Sequence, residues 1–417
     1  MLIPDVTQMK TKIKLPFSRH AGLYIHIPFC VRKCRYCDFY SVTDRTLKPR
    51  FLKALVTEME MCPVEKLCFD TLYIGGGTPS VFDDRDIGRI TTAVFRNFDL
   101  QNDSEITIEV NPGTTSVELL KGYRKAGINR INIGVQSFHN KNLNFLGRIH
   151  TAGEAGDAVT QAQRAGFPNI GLDFIYGLPN QSEAQWLSDV KQAVEYNPTH
   201  LSCYLLTYEN GTPLQCDLKA GRFQPLSDDQ VRTLFDTTID FLEHCGYFQY
   251  ETSNFARIGL NGEPLVSTHN LKYWTRVPYI GLGPSAHSFI EPRRYWNVSP
   301  VEEYIAAIES GRPPVAEREV LSQEQQIIET IYLGLRMTQG IDLANFKNKF
   351  QIDFKEAFEE LTADLKERNY ITISKDHCAL TRQGRAFLDS ISAMFVGSSF
   401  KTPDQVQGLR QSAGLRF

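Results

Sequence analysis

The sequence lacks any apolar run that approaches the roughly 20 residues of a membrane-spanning helix. Its amino-terminal segment also lacks the continuous apolar stretch of a signal peptide. Charge of one sign is not in excess, since 45 Lys and Arg face 48 Asp and Glu, so no overall field attracts nucleic acid or an anionic membrane. We therefore expect a cytoplasmic protein without a nucleic-acid partner, and the sequence leaves loose peripheral contact with a membrane open.

Cysteine is also scarce, with nine residues in a chain of 417, which argues against a disulfide-stabilised scaffold. Six of the nine show neither CxxC nor CxxxC spacing, and we predict that they are scattered, buried thiols. These six are Cys62, Cys68, Cys203, Cys216, Cys245 and Cys378.

The remaining three cysteines, Cys30, Cys34 and Cys37, form a CxxxCxxC array directly after an apolar, strand-like segment. Three thiolates this close on one loop can bind one compact metal centre. A structural zinc ion needs a fourth ligand, and the nearest one, His26, is predicted to face away from the loop. A cubane iron–sulfur cluster normally has four cysteine ligands, and with three it leaves one iron open to a ligand from outside the protein.

The residues around these cysteines add two features. Arg32, Lys33 and Arg35 lie between the sulfurs and are predicted to lower the pKa values of the thiols. Phe39 occupies the next alternate position after the array, where a fourth sulfur would fit.

Apolar segments of strand length recur through the first half of the chain. They are residues 23–27, 71–75, 106–110, 130–135, 170–177 and 200–206. Most are nearly continuous rather than alternating, which is typical of strands buried on both faces of a parallel sheet. Segments of helical length lie between them, and two of these, 116–127 and 151–166, end near a glycine suited to a helix terminus. Six strand–helix repeats predict an α/β fold built on a partial (β/α)6 TIM-like barrel.

The pattern divides the chain into five predicted parts. They are an N-terminal extension (1–21), the partial barrel (22–210), an extension that closes the barrel (211–315), a small helical, winged-helix-like domain (316–396) and a loose tail (397–417). In the fourth part, a helix predicted over 353–368 is rich in acidic residues. This charge favours a packing or partner module over DNA binding.

The segment YIHIPFCVRKCRYCDFYS, residues 24–41, resembles the radical S-adenosylmethionine (SAM) superfamily, and within it the oxygen-independent coproporphyrinogen III oxidase family. The resemblance extends from about residue 22 to about residue 390. It implies a [4Fe-4S] cluster on the three cysteines, with the open iron binding the amino and carboxylate groups of SAM. Phe39 resembles the phenylalanine that the heme-chaperone branch of this family carries at this position, whereas the oxidases usually carry Cys there.

The resemblance also implies which other residues contact SAM. In the stretch GGGTPS (75–80), three glycines let the backbone approach a ligand closely. Glu109 ends a strand, at the rim where such barrels place their sites. The implied SAM contacts are Tyr24, Tyr36, Gly76, Gly77, Thr78, Glu109, Gln136, Arg148 and Asp173. Without the resemblance they would be interpreted as a glycine turn, strand-end caps and surface charges.

A second motif, HNLKYW, is similar to the HNxxYW motif of the heme-chaperone branch, which the oxidases lack. Its imidazole could bind iron, and its aromatic rings offer flat apolar area to a porphyrin. Lys272 or Arg276 is predicted to meet a heme propionate. The predicted heme contacts are His269, Tyr273 and Trp274, with His287 as a second choice of ligand. From the residues alone, an aromatic core anchor and a satisfied polar histidine would be the simpler interpretation.

Two functions of different classes follow from the resemblance. The first is a heme chaperone that binds heme, a [4Fe-4S] cluster and SAM, and delivers heme to an acceptor hemoprotein. The predicted acceptor is a respiratory, membrane-associated protein. The second is an oxygen-independent coproporphyrinogen III oxidase of porphyrin biosynthesis. Phe39 together with HNxxYW favours the chaperone over the enzyme. A porphyrin-modifying radical methylase would share the fold but has no support in these motifs, and a homodimer is left open.

Overall fold

The computed structural model describes residues 15, 18–62, 67–260 and 262–397. The predicted N-terminal extension lies largely outside these residues, and so does the predicted tail beyond Gly397. The chain divides into two compact units, with the division between Leu321 and Ser322.

Six parallel strands form the centre of the first unit, and they pair in the order of the chain. They are β1 (Ala21–Ile27), β2 (Cys68–Gly76), β3 (Asp99–Val110), β4 (Arg130–Gln136), β5 (Asn169–Tyr176) and β6 (His200–Leu205). The helices between them are α1 (Lys48–Met61), α2 (Asp84–Asn97), α3 (Val117–Lys125), α4 (Asn140–Leu146), α5 (Ala152–Arg164) and α6 (Glu183–Glu195). This repeat confirms the predicted partial (β/α)6 barrel.

Local sequence signals set the ends of these helices. Thr151 and Ser182 each begin a helix with a capping box. The cap side chain accepts a hydrogen bond from the backbone N–H three residues later, and the side chain of that residue, Glu154 or Gln185, accepts one from the backbone N–H of the cap residue. Gly127 and Gly166 follow α3 and α5 with positive φ angles of 95° and 81°. Because this backbone conformation suits glycine, the two helices end where the sequence predicts.

The two faces of the barrel strands differ in chemistry. On β4, Ile131, Ile133 and Val135 are fully buried in the apolar core shared with the helices. The alternate residues Arg130 and Asn132 are equally buried but form polar contacts across the inner face of the barrel. The interior of the barrel, which we call the lumen, is therefore polar rather than filled by aliphatic side chains.

The rest of the first unit extends the sheet on both edges. Its strands are β7 (Tyr247–Gln249), β8 (Asn254–Arg257), β9 (Tyr279–Leu282), β10 (His287–Ile290), β11 (Arg293–Asn297) and β12 (Val315–Val320). Its helices are α7 (Pro213–Lys219), α8 (Asp228–His244), α9 (Thr268–Trp274) and α10 (Val301–Glu309). β8 pairs antiparallel with β6, and β9 pairs parallel with β1. The result is a 12-stranded sheet in the order β12-β11-β10-β9-β1-β2-β3-β4-β5-β6-β8-β7.

A buried carboxylate fixes part of this extension to the barrel. Glu58 on α1 accepts hydrogen bonds from the N–H of Gly283 at 2.8 Å, the amide of Asn297 at 2.6 Å and the hydroxyl of Tyr304 at 2.6 Å. These three donors follow β9, end β11 and lie on α10. One side chain thus holds three separate segments of the extension.

The second unit is helical with a small sheet. Its helices are α11 (Gln323–Arg336), α12 (Leu343–Phe350), α13 (Phe354–Ala357), α14 (Glu359–Glu367), α15 (Arg382–Arg385) and α16 (Leu388–Gly397). Its strands, β13 (Ile341–Asp342), β14 (Ile371–Ile373) and β15 (His377–Leu380), pair in the order β13-β15-β14. The helix predicted over 353–368 is interrupted at Phe358, whose ring is buried in an aromatic cluster with Phe354 and Phe395.

Candidate functional site

The three cysteines lie on one loop, residues 28–42, which follows β1 and is called the cysteine loop below. Its ends are tied together, because the N–H of Cys30 donates to the Val42 carbonyl at 2.9 Å and the N–H of Val42 donates to the Pro28 carbonyl at 2.7 Å. Phe29 is fully buried and packs edge-on against a phenylalanine ring of α1. All three thiols are free, one buried and two half-buried.

The glycine turn after β2 packs directly against the cysteine loop. The N–H of Gly77 donates to the Ile27 carbonyl at 2.7 Å, and that of Thr78 donates to the Phe29 carbonyl at 2.8 Å. The Thr78 hydroxyl also lies 3.5 Å from the sulfur of Cys30. A side chain at position 77 would stand within 2.9 Å of both carbonyl oxygens, so this approach requires glycine.

Arg148 contacts a different part of the cysteine loop. Its guanidinium donates to the sulfur of Cys34 at 3.4 Å and to the Gly134 carbonyl at 2.8 Å, and it also bonds to Tyr36. Gln136 lies beside it, since a Cβ on Gly134 would stand 2.9 Å from the Gln136 amide nitrogen and 3.2 Å from Arg148. Gln136 has a φ of 65°, a conformation that non-glycine residues adopt mainly at constrained sites.

The basic residues of the loop act differently from the prediction. The backbone of Arg35 bonds to the Leu146 carbonyl at 3.1 Å, and its guanidinium forms an ion pair with Asp217. Arg35 therefore ties the loop to α7. Burial raises the pKa of Cys37 to about 11, and Lys33 lowers it only weakly, so the prediction of a lowered thiol pKa is wrong for Cys37.

The donor set suits an iron–sulfur cluster better than a zinc ion. Across the described part of the chain, no three His, Cys, Asp or Glu side chains converge closely enough to bind a single metal ion. His26 faces the cysteine loop, contrary to the prediction, because one ring nitrogen lies 2.9 Å from the carbonyl of Tyr40 in that loop. The other ring nitrogen lies 3.0 Å from the Tyr24 hydroxyl, so in this arrangement both nitrogens are engaged and His26 is excluded as a fourth ligand. The three thiols instead suit separate iron atoms of one cluster, which would supply an open iron and redox chemistry.

Glu109 stands in the lumen beside the glycine turn. The Tyr73 hydroxyl donates to one of its carboxylate oxygens at 2.7 Å, and the N–H of Gly76 lies 3.2 Å from the other. Burial, followed by the nearby charge of Asp173, raises the pKa of Glu109 to about 7, although the Tyr73 hydrogen bond opposes the shift. Such a carboxylate can bind hydroxyl or ammonium groups of a ligand at the rim.

Asp173 lies across the lumen on β5. Its carboxylate accepts from the Asn132 amide at 2.5 Å and from the Ser202 hydroxyl, and burial raises its pKa to about 6. Eight of the nine predicted SAM contacts thus fall into two groups, and the ninth, Asp173, lies on the lumen wall. The first group is Tyr24, Gly76, Gly77, Thr78 and Glu109, and the second, beside Cys34, is Tyr36, Gln136 and Arg148.

The HNxxYW motif forms α9, and its histidine is enclosed. His269 is only 1% exposed. Its ring nitrogens lie 2.8 Å from the Thr71 hydroxyl and 2.8 Å from the Tyr273 hydroxyl, while Trp274 is half-buried. In this arrangement neither nitrogen is free to bind iron. Heme ligation by His269 stays a prediction, and it would require the ring to leave both partners.

The two cations predicted to meet a propionate are engaged elsewhere. Lys272 is buried and forms an ion pair with Asp70 on β2 at 2.5 Å. Arg276 is buried, forms an ion pair with Glu291 at 3.2 Å and stacks over the Phe289 ring. The Lys272 ammonium and the Arg276 guanidinium thus hold α9 and the turn that follows it in place.

Two aromatic features are accessible instead. His287 is exposed, and its ring stacks on Trp296 with 5.4 Å between centroids. Phe39 in the cysteine loop is 68% exposed. These residues offer an imidazole and apolar surface to a ligand without rearrangement of the core.

Sequence analysis did not identify Thr71 and Tyr73 as members of the site. Both lie on the lumen face of β2, where they contact His269 and Glu109. The alternation within TLYIG (71–75) was the available signal, because residues 71, 73 and 75 share one face of a strand.

No helix in the described ranges is long and apolar enough to cross a membrane. The family model of the radical SAM superfamily matches residues 24–193. The model of the HemN C-terminal domain matches residues 321–387.

Curated relatives match the chain over most of its length. The heme chaperone HemW of Lactococcus lactis subsp. lactis is 35% identical over 87% of this chain and 93% of the relative. The heme chaperone HemW of Escherichia coli is 32% identical over 92% of this chain and 99% of the relative. Among solved structures, the coproporphyrinogen III oxidase HemN of E. coli, described as a radical SAM enzyme, matches with a TM-score of 0.76 and 23% identity, covering 91% of this chain and 90% of that one. This last likeness shows the fold.

Proposed function

The chain belongs to the HemW family of the radical SAM superfamily, and from this premise we propose that it is a heme chaperone. It binds a [4Fe-4S] cluster on Cys30, Cys34 and Cys37, and SAM at the open iron. It also binds heme and delivers it to an acceptor hemoprotein, with membrane-associated respiratory proteins as the predicted acceptors. The proposed setting is the cytoplasm.

One observation favours the chaperone over the oxidase. Phe39 follows Cys37 by two residues, where a further thiol would lie beside the cluster, and its ring is 68% exposed. The cysteine loop therefore presents apolar surface to a ligand and lacks the additional sulfur that the resemblance associates with coproporphyrinogen III oxidases. A flat, largely apolar macrocycle is the kind of ligand that such a surface favours.

Two histidines compete as the axial ligand of heme. His269, with Tyr273 and Trp274, is the prediction from the family motif, but its nitrogens are both within hydrogen-bonding distance of hydroxyl groups. His287 is exposed and stacked on Trp296. A neutral imidazole can bind heme iron in either case. Burial lowers the pKa of His269 to about 3, while partial desolvation of the ring and the charge of Arg294 lower the pKa of His287, so the neutral form of both prevails near neutral pH.

The test uses anaerobically purified protein with its cluster reconstituted. We expect heme to produce a Soret band at one equivalent, and coproporphyrinogen III to remain unchanged with SAM and a reductant. The same heme titration of H269A and H287A identifies the ligand, since only loss of the true ligand shifts the Soret band. Decarboxylation of coproporphyrinogen III by the wild-type protein would replace the chaperone proposal with the oxidase.

A further inference from the structure

We infer that His269 of the HNxxYW motif is a positioning residue for the SAM site: its ring holds Tyr73, and Tyr73 holds Glu109. This inference rests on the proposed function in one respect, namely that Glu109 contacts SAM. It assigns to the motif a task at the cofactor site in place of direct contact with heme iron.

The His269 ring is fixed by its own contacts. One ring nitrogen lies 2.8 Å from the Thr71 hydroxyl and the other 2.8 Å from the Tyr273 hydroxyl. The side chain is packed closely, since a Cβ on Gly22 would stand 3.1 Å from the ring. A ring that is enclosed and bonded at both nitrogens cannot rotate freely, so it presents a constant surface to its neighbours.

The His269 ring stacks on the face of the Tyr73 ring. The two ring centroids are 5.1 Å apart, with an interplanar angle of 27°. The Tyr24 ring stacks on Tyr73 as well, at 6.3 Å and 29°. Tyr73 is thus held by aromatic contacts, and the direction of its hydroxyl is set by the position of the ring.

The Tyr73 hydroxyl is the link to the cofactor site. It donates to Glu109 at 2.7 Å, and the other carboxylate oxygen is 3.2 Å from the N–H of Gly76 in the glycine turn. A Cβ on Gly75 would stand 2.9 Å from the Tyr73 ring and 3.1 Å from the Glu109 carboxylate. The carboxylate and the Tyr73 ring therefore both border Gly75, and the hydrogen bond from the Tyr73 hydroxyl holds the carboxylate there.

The helix that carries His269 is fastened to the same strand. Lys272 forms its buried ion pair with Asp70 of β2 at 2.5 Å. Glu105 of β3 accepts hydrogen bonds from the first N–H groups of α9, those of Thr268 at 3.1 Å and His269 at 3.0 Å, a favourable position for an anion. Strand β2 thus contacts α9 through residues 70 and 71, and it contacts Glu109 through residue 73. The strand therefore connects the HNxxYW motif physically to the proposed SAM site.

The experiment measures SAM affinity and heme affinity separately on protein with an intact cluster. SAM is titrated against the electron paramagnetic resonance signal of the reduced cluster, heme against the Soret band, and iron content is determined for each variant. H269A removes the ring, H269F keeps a ring of similar size without nitrogens, and Y73F removes only the hydroxyl. H200A is the matched control, because His200 is an equally buried lumen histidine bonded to a tyrosine, Tyr250, at 2.8 Å.

We expect Y73F and H269A to weaken SAM binding about tenfold, the size of effect typical of losing a hydrogen bond to a charged group. Their double variant should be no worse than the stronger single variant, because both act on one carboxylate. H269F should recover most of the SAM affinity, and H200A should retain it. Should H269A fail to keep its cluster, H269F and Y73F carry the comparison.

Wild-type SAM affinity in both H269A and Y73F would overturn the inference, as would additive effects in the double variant. Loss of the Soret band in H269A and H269F with unchanged SAM binding would show instead that His269 is the heme ligand. Failure of the proposed function has a different signature, because it would appear in the wild-type protein as absent heme binding or as oxidase turnover.

Discussion

Gly77 and Cys30 are in contact: a methyl group on the Cα of Gly77 would stand 3.1 Å from the Cys30 sulfur and 2.8 Å from the Phe29 carbonyl oxygen. This contact joins the glycine turn to the cysteine loop through two residues that are 47 positions apart in the sequence. The position of Cys30, a proposed cluster ligand, thus depends on the absence of a side chain in the turn.

We predict that G77A impairs cluster assembly. The added methyl group must displace either the Cys30 thiol or two backbone carbonyls that accept hydrogen bonds in the turn. Iron content after reconstitution should fall well below that of the wild type. G88A is the control, because nothing lies within 4 Å of a Cβ at that helical position, and it should keep its iron while gaining about 0.5–1 kcal/mol in stability. Equal iron content in the two variants would contradict the prediction.

The proposed cluster ligands are tested by replacement of each cysteine. C30A, C34A and C37A should each lose most of their iron and the visible absorption of the thiolate–iron bonds, because each removes one of the three proposed thiolate ligands. C216A should behave as the wild type. The prediction that the six scattered thiols are buried holds for Cys203 and Cys378 and is wrong for the other four, because Cys62, Cys68 and Cys245 are half-buried and Cys216 is exposed. Removal of the exposed Cys216 therefore disturbs little packing. Full iron retention in C34A would exclude the ligand assignment.

Much of the barrel could be predicted because its outer face follows simple rules. Residues such as Ile131 and Ile133 are apolar at every second position, and the helices between strands carry their own capping signals. The extension could not be predicted in the same way. Its strands pair with β1 and β6, which are distant in sequence, and non-local pairing leaves no periodic signal in a short segment.

The cofactor site shows the same limit. The cysteine array and the glycine turn are local motifs, so sequence alone indicated their chemistry. The orientation of His269 depends instead on Lys272 pairing with Asp70 and on Glu105 receiving the first turn of α9. These contacts link segments about 165 to 200 residues apart, and the local sequence carries no signal for them. The HNxxYW motif therefore suggested an accessible imidazole, whereas the folded chain encloses it.

The buried ion pair beneath α9 should matter for stability. Lys272 is 3% exposed and Asp70 16%, with 2.5 Å between their charged atoms. K272M leaves a largely buried carboxylate without its partner, so we expect a loss of about 3–5 kcal/mol in the free energy of unfolding. The exposed pair of Arg50 and Glu309 is the control, and E309Q should have no measurable effect. A urea titration decides, and an equally small effect in K272M would refute the prediction.

Glu58 should make stability depend on pH. Burial raises its pKa from 4.5 to about 7, although three hydrogen bonds oppose the shift. Between these values the folded protein holds a proton that the unfolded chain releases, so this contribution to stability is complete below about pH 4.5 and is lost as pH rises through about 7. The loss is on the order of 3 kcal/mol. In E58Q this part of the pH dependence should disappear, whereas an unchanged slope would assign the dependence to other groups.

The last prediction concerns the charge of Glu109. The charged and titratable groups that face it are Tyr73, Tyr24, Tyr273, Asp173 and Arg130. Burial and the charge of Asp173 raise its pKa to about 7, so the carboxylate ionises over the neutral range. The ionised form is the better acceptor for ammonium or hydroxyl groups of SAM. SAM affinity of the wild-type protein should therefore increase as pH rises from 6 to 8.

E109Q keeps the shape of this side chain but cannot ionise. Its SAM affinity should be about tenfold lower at pH 8, the loss typical of a charge-assisted hydrogen bond, and should not change between pH 6 and 8. Titration of the reduced cluster's paramagnetic signal with SAM at three pH values measures both quantities, and iron content confirms that the cluster is intact. E118Q, on the surface helix α3, should keep the wild-type slope. A wild-type affinity that is flat over this range would show that Glu109 binds SAM, if at all, without a change in its charge.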